Sequence, residues 1–221
     1  AGAMARMLDV EEALAAATVP GLTESLAHVA HRPIRARATL GGSMAHADPA
    51  AELPALMLAA DGAVVLRSRD RGERVVPVRQ FLPGPLMTDR QPDELLVEVR
   101  IPRHPGRLVV RELAPRPGDF ALVGCVAGFA TVAGRIDSPA IVVFGAGGTA
   151  MRCAEAEQAL LGQEPSSVVL AEAASIVRDT VEARELTSDV LGARPISLTT
   201  LVTASSAARI VVLWIVTFAF A

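Results

Sequence analysis

Lysine, asparagine and tyrosine are absent from the 221 residues, so every basic side chain is an arginine, and only two cysteines and four histidines occur. These absences remove any catalytic lysine or tyrosine and any N-glycosylation acceptor. Cys125 and Cys153 lie far apart with no C-x-x-C and no paired histidine. That excludes a zinc site or an iron–sulfur cluster built from this chain alone, and buried thiols are expected. Charge of one sign is lacking too: the net charge of −3 and a pI near 5.8 leave no general basic field to hold a nucleic-acid backbone. The start, Ala1–Arg6, lacks the basic-then-apolar order of a secretory leader, and with few cysteines the expected location is cytoplasmic. No hydrophobic run reaches the roughly 20 residues that a bilayer demands; the closing stretch Ile210–Ala221 has twelve, so membrane contact through it is not expected.

What is present is ample core material, 51% hydrophobic with mean hydropathy +0.40. Asp9 and Glu12 ahead of an Ala- and Leu-rich run predict a short helix to Ala17, and Thr23–His31 predicts a second, ended before Pro33. A third is expected from Asp48 and Pro49 to Ala60. The β-branched runs Ala63–Leu66 and Arg74–Val78 flank a polar turn and read as a hairpin, with Pro77 at an edge. Leu95–Ile101 alternates as a half-buried strand with Val97, Val99 and Ile101 on one face. Pro102, Pro105 and Gly106 mark a domain boundary. Beyond it, Arg107–Leu113, Phe120–Val132 and Arg135–Phe144 predict three antiparallel strands, and Met151–Leu161 and Ser166–Arg184 two covering helices. After Asp189 no acidic residue remains, and the abrupt change of composition over 190–221 reads as a foreign or out-of-register tail.

The least ordinary stretch is Thr39-Leu40-Gly41-Gly42-Ser43. Two glycines permit positive φ and close approach to a ligand, successive N–H groups can form an anion nest, and two hydroxyls add donors, which is what a dinucleotide pyrophosphate requires. Glu52 is close enough in sequence to accept from a sugar or ribitol hydroxyl. Gly145-Ala146-Gly147-Gly148-Thr149-Ala150 fits G-x-G-x-x-A, yet the strands before it read as antiparallel, so a strand-to-helix turn is expected rather than a nucleotide loop. His28, His31 and His104 sit among arginines and prolines without a carboxylate at metal spacing and read as solvated surface residues. His46 and Asp48 fall inside the Gly-Gly stretch, where positioning of the backbone and bonding to a cofactor are both open.

The string Ile34–Ala55 resembles the signature I-R-N-R-G-T-I-G-G-N/S-L-A-H-A-D-P-A-A-D/E-L-P-A of FAD-binding medium subunits of molybdenum hydroxylases, the group of aerobic carbon monoxide dehydrogenase medium subunits and xanthine dehydrogenase flavin domains. Three further segments agree in order: Phe81–Thr88, Asp93–Pro102 and Arg116–Gly124. The resemblance implies an α+β chain: residues 1–103 as the second subdomain of a PCMH-type FAD-binding domain, then 107–189 as a CO dehydrogenase flavoprotein C-terminal-like domain with a three-stranded antiparallel sheet and helices. By matching position it places Thr39, Leu40, Gly41, Gly42 and Ser43 at the FAD phosphates and Glu52 at the ribitol or ribose. Leu96 would lie in a strand that lines the flavin, though it reads equally well as core, and Arg111 matches a basic position near the isoalloxazine. Molybdopterin and [2Fe–2S] would sit on a large and a small partner subunit in a hetero-oligomer, with this chain passing their electrons to an external acceptor. Ala36 and Ala38 replace the usual Asn and Gly, and Pro115 replaces one Arg. The family's first flavin subdomain, with its A-G-G-x-S/T loop, has no counterpart in these residues, so half of the FAD site is expected. A remnant or docking module that binds no flavin is the alternative.

Overall fold

The structure is a computed structural model that describes residues 1–16 and 22–185. The expected tail, residues 190–221, and the end of the first helix at Ala17 lie outside the described residues. Five helices come first: α1 (Met7–Ala16), α2 (Leu22–His28), α3 (Arg32–Arg35), α4 (Leu40–His46) and α5 (Glu52–Ala59). The hairpin β1 (Ala63–Ser68) and β2 (Gly72–Pro77) runs into α6 (Val78–Phe81), and β3 (Glu94–Arg100) completes an antiparallel sheet in the order β2-β1-β3. Pro77 ends the edge strand β2, where its missing N–H breaks no ladder.

After the proline-rich linker, β4 (Arg107–Leu113), β5 (Val123–Val132), β6 (Arg135–Phe144) and β7 (Met151–Arg152) form a second antiparallel sheet in sequence order, followed by α7 (Ala154–Leu160) and α8 (Ser167–Glu185). The mixed α+β class is as expected, with one difference in detail: Met151 and Arg152 pair with Val143 and Val142 as a fourth strand, so α7 starts later than its periodicity suggests. The turn between β6 and β7 is the Gly145–Ala150 stretch, with Gly145 at φ +78. It therefore joins two antiparallel strands rather than a strand to a helix, and a parallel nucleotide-binding βαβ unit is absent there.

Alternate residues of the second sheet serve two cores. Leu108, Val110, Val126, Ala140, Val142 and Phe144 face the first half of the chain and share one buried cluster with Leu53, Leu56, Met57, Val64, Leu66 and Phe81. Val123, Cys125, Ile141 and Val143 face the other way, onto Ala156 and Leu160 of α7 and Leu170, Ala173 and Val177 of α8. Both cysteines are buried in this second cluster. Burial and the neighbouring Cys153 push the Cys125 thiol up, far from reactivity at neutral pH. Helix α5 is buried all round from Glu52 to Met57 because it lies between the first half and the second sheet. One hydrophobic core thus crosses the Pro102–Gly106 linker.

Two local differences from the sequence reading have simple causes. The expected single-phase alternation in β3 changes phase: Glu94 and Leu96 turn inward, then Val99, because the pairing with β1 shifts register between Val65 and Leu66. Leu95 is left 71% exposed. The helix expected from Pro49 begins at Glu52 instead, since Asp48 Oδ1 accepts from Ala50 N at 2.8 Å and holds the preceding residues in a turn.

Candidate functional site

The Gly-Gly stretch is helical. Thr39 is the N-cap of α4, with extended φ −110 and its Oγ1 accepting from Gly42 N at 3.0 Å. Gly41 and Gly42 lie in the first turn, and neither has the positive φ that the sequence suggested; within this stretch the left-handed residue is Ala47, φ 53, at the helix C-cap. The glycines serve space rather than turn geometry. A Cβ at Gly41 would stand 2.6 Å from Ala3 Cβ and 2.8 Å from Ala3 O, so the N-terminal segment can lie against α4 only because position 41 has no side chain.

That segment links two parts of the site. Ala3 N donates to Val97 O (2.9 Å) and Val99 N to Ala1 O (2.9 Å), so Ala1–Ala3 lies along the outer edge of β3. Leu40 N then donates to Ala5 O (3.0 Å), Gly41 N to Ala3 O (2.8 Å) and Met7 N to Ala38 O (3.0 Å). Leu96, half-buried against the first core, and the start of α4 are therefore tied to one strip of chain. Together these bonds, the Thr39 cap and Ser43 N to Thr39 O (3.1 Å) occupy all four N–H groups of residues 40–43. The expected nest of open N–H groups is not formed; the side-chain donors of the stretch are the hydroxyls of half-buried Thr39 and Ser43, on either side of exposed Gly42. Arg6 pairs with Thr39 in a bridge and its guanidinium donates to Arg37 O, which brings positive charge to this end of the helix.

Glu52, the first residue of α5, is 6% exposed. It faces Glu112 of β4, and burial foremost, opposed by its own backbone N–H and assisted by the Glu112 carboxyl, raises it from 4.5 to about 7. His28, at the end of α2, has Nδ1 3.7 Å from Glu112 Oε1. This corrects the sequence reading of His28 as a solvated residue without a carboxylate, because the partner arrives from a strand more than eighty residues away. His31 lies against the loop that follows β4, its ring occupying the space where Gly118 (φ +84) would carry a Cβ. His46 Nδ1 is 3.8 Å from Asp48 Oδ2, so this pair shapes the turn after α4.

Arg111 stands apart from the other candidates. It pairs with Cys125 and so belongs to the sheet face that carries α7 and α8, whereas its neighbour Glu112 shares the face of Glu52. Its guanidinium donates to Val110 O at 2.9 Å. The structure brings together Thr39, Ser43, Gly42 and, through the N-terminal strip, Leu96; it does not bring Arg111 to them.

Two organising residues escaped the sequence reading. Arg35, 8% exposed, donates to Ala27 O, Val29 O and Ala30 O at 2.8–3.3 Å and pairs with Glu11 at 2.8 Å. It closes the C-terminal end of α2 onto α1, so the I-R start of the signature string is structural. Glu94, 3% exposed, meets Arg74 at 2.7 Å, and that guanidinium with the Gln91 N–H holds its carboxyl down at about 2. A buried charge with its partner on another strand leaves no short-range signal.

The first 104 residues match the FAD binding domain in molybdopterin dehydrogenase, and residues 109–192 match the CO dehydrogenase flavoprotein C-terminal domain. The chain is 41% identical over 160 residues to the 6-hydroxypseudooxynicotine dehydrogenase complex subunit alpha of Paenarthrobacter nicotinovorans, covering 71% of this chain and 53% of that protein. It is 39% identical over 166 residues to the caffeine dehydrogenase subunit beta of Pseudomonas sp. strain CBB1, covering 73% and 56%. The structure of quinoline 2-oxidoreductase from Pseudomonas putida 86 superimposes with a TM-score of 0.83 at 30% identity, covering 98% of this chain and 73% of that one. The chain belongs to the FAD-binding medium subunits of the molybdenum hydroxylases.

This medium subunit spans about half the length of the curated relatives it matches. Its donor set fits part of a dinucleotide: two hydroxyls and an uncovered glycine backbone beside Arg6 suit a phosphate, with no carboxylate of its own in residues 39–43. Among the described residues no group of side chains could hold a metal ion, and no helix is long and apolar enough to cross a membrane.

Proposed function

We propose that this chain is the FAD-binding, electron-transfer part of a molybdenum-hydroxylase-type dehydrogenase, an oxidoreductase subunit working in the cytoplasm. Its partners are a large molybdopterin-binding subunit and a small [2Fe–2S] subunit, whose electrons it passes to an external acceptor. The supporting observation is the pair of hydroxyls, Thr39 and Ser43, bracketing the bare Gly42 backbone at the start of α4. FAD, when bound, supplies the redox chemistry; the chain supplies binding and orientation. Thr39 accepts from Gly42 N and retains its own O–H, which donates to a phosphate oxygen, and Ser43 adds a second hydroxyl. Residues 1–103 carry this half of the flavin site, the second sheet buttresses it through α5, and Leu96 with the Ala1–Ala3 strip forms its apolar side.

A second reading, a docking module that binds no flavin, draws on two observations: the N–H groups of residues 40–43 are all taken, and Arg111 lies on the far sheet face. A visible absorption spectrum of the 221-residue chain after FAD addition and desalting separates the two, run alone and with the first flavin subdomain of a relative supplied in trans. Flavin bands retained in wild type and lost in Thr39→Val support the electron-transfer reading. Retention in neither condition sinks it in favour of the docking module.

A further inference from the structure

The buried carboxyls of Glu52 and Glu112 meet where the first half of the chain closes on the second sheet. Glu52 is the first residue of α5, and Glu112 sits near the end of β4, its side chain 9% exposed. Glu112 Oε2 is sealed from solvent and finds no donor among the described protein groups. Glu52 stands at the start of the helix that packs against β4, where its carboxyl and that of Glu112 interact. Two carboxylates cannot donate to each other, and a buried acceptor without a donor costs the whole desolvation of that oxygen. A proton between them removes both penalties at once, which is how paired carboxyls in other settings resolve the same conflict.

Glu112 and His28 are the groups whose charges reach Glu52. From α2, His28 approaches Glu112 Oε1 at 3.7 Å, while Glu24 is paired with Arg107 of β4 at 2.6 Å and so is compensated at the rim. The faces that β5 and β6 turn toward α5 are apolar, with Val126, Ala140 and Val142 fully buried. Histidine neutralises one negative charge of the pair at most, and only when protonated.

We propose that Glu52 and Glu112 hold one proton between them, so that Glu112 is the positioning residue for the acidic member of the flavin signature and the pair closes the seam between the two halves. The consequence for FAD rests on the flavin reading above; the proton-sharing pair does not. With the proton in place, Glu52 stays locked against Glu112 at the start of α5, and α4, which carries Thr39 and Ser43, packs against that helix. When the proton leaves, two like charges face each other in an apolar seam and push it apart.

The experiment uses the full 221-residue chain with 13C-labelled glutamate side chains, titrated by carboxyl chemical shift, together with urea unfolding across pH. One glutamate signal titrating near neutrality, and moving downward in Glu112→Gln while burial still holds it above the ordinary carboxylate range, is the expected result. The folding equilibrium constant of the wild type should fall roughly thirtyfold between about pH 5.5 and about pH 8.5, a fall that Glu112→Gln should reduce and Glu52→Gln should abolish. If Glu112→Gln does not fold, Glu52→Gln and the wild-type titration decide the matter. All glutamates titrating in the ordinary range overturns the proposal, as does a neutral titration that both variants leave unmoved. FAD retention is read on the same samples with the first flavin subdomain of a relative supplied in trans. A neutral titration without any FAD binding leaves the pair standing and removes the flavin reading, while FAD binding without that titration does the reverse.

Discussion

Gly41→Ala tests why two glycines stand at the start of α4. In an exposed helix interior the change would stabilise by about 1 kcal/mol through backbone entropy. Here the new methyl would sit 2.6 Å from Ala3 Cβ and 2.8 Å from Ala3 O, too close for carbon or oxygen, and the obstacle is backbone that cannot swing away. The N-terminal strip must withdraw, and with it go the bonds Gly41 N to Ala3 O (2.8 Å), Leu40 N to Ala5 O (3.0 Å) and Ala3 N to Val97 O (2.9 Å). At about 1 kcal/mol each these outweigh the helix gain, for a net loss of about 2 kcal/mol. Gly42→Ala is the internal control: its Cβ meets only Thr39 Oγ1, at 2.8 Å, so the loss of a cap worth about 1 kcal/mol offsets the same helix gain and stability barely moves. Urea unfolding followed by far-UV circular dichroism measures both. Gly41→Ala proving as stable as wild type, or Gly42→Ala proving the more damaging of the two, would refute the argument that position 41 is glycine for packing.

Arg35→Met leaves three carbonyls and Glu11 without their guanidinium, and the expected cost is about 3 kcal/mol in the same unfolding assay, whereas a surface-like loss below about 1 kcal/mol would show that Arg35 does not hold α1 and α2 together. Glu94 gives an acid-side dependence. Its carboxyl ionises at about 2 in the folded chain against an ordinary 4.5, so the stability it contributes is complete above the ordinary value and is lost as pH falls through the folded one. Glu94→Gln should flatten that acid limb, and an unchanged limb would place its origin elsewhere. Glu52 runs the opposite way: its folded value of about 7 lies above the ordinary 4.5, so its contribution is complete below the ordinary value and is lost as pH rises through about 7. The two limbs can therefore be assigned separately in one pH series.

Periodicity and punctuation were enough to place the elements because they are local. The β1–β2 hairpin, the three long strands of the second sheet and α8 stand where alternation, turn residues and Ala/Leu spacing put them. The signature string at 34–55 likewise carried the family without any structure, since its residues are consecutive. What failed to show in the string was the purpose of its parts. Gly41 looks like a turn residue until the N-terminal strip is seen lying across it, and Arg35 is one arginine among several until the ends of α2 and α1 are found around it. His28 gained a carboxylate partner and β3 changed phase for the same reason: the cause lies on another strand.

The residues alone determined the class of the chain, its cofactor family and the order of its elements, because those depend on composition, spacing and neighbours along the backbone. Tertiary structure decided which groups meet. It put Glu52 against Glu112, turned Arg111 to the face of α7 and α8, and closed the N–H groups of residues 40–43 onto the start of the chain. A sheet sends successive side chains to opposite faces and a core brings distant segments into contact, so pairings of this kind exist only once the chain has folded.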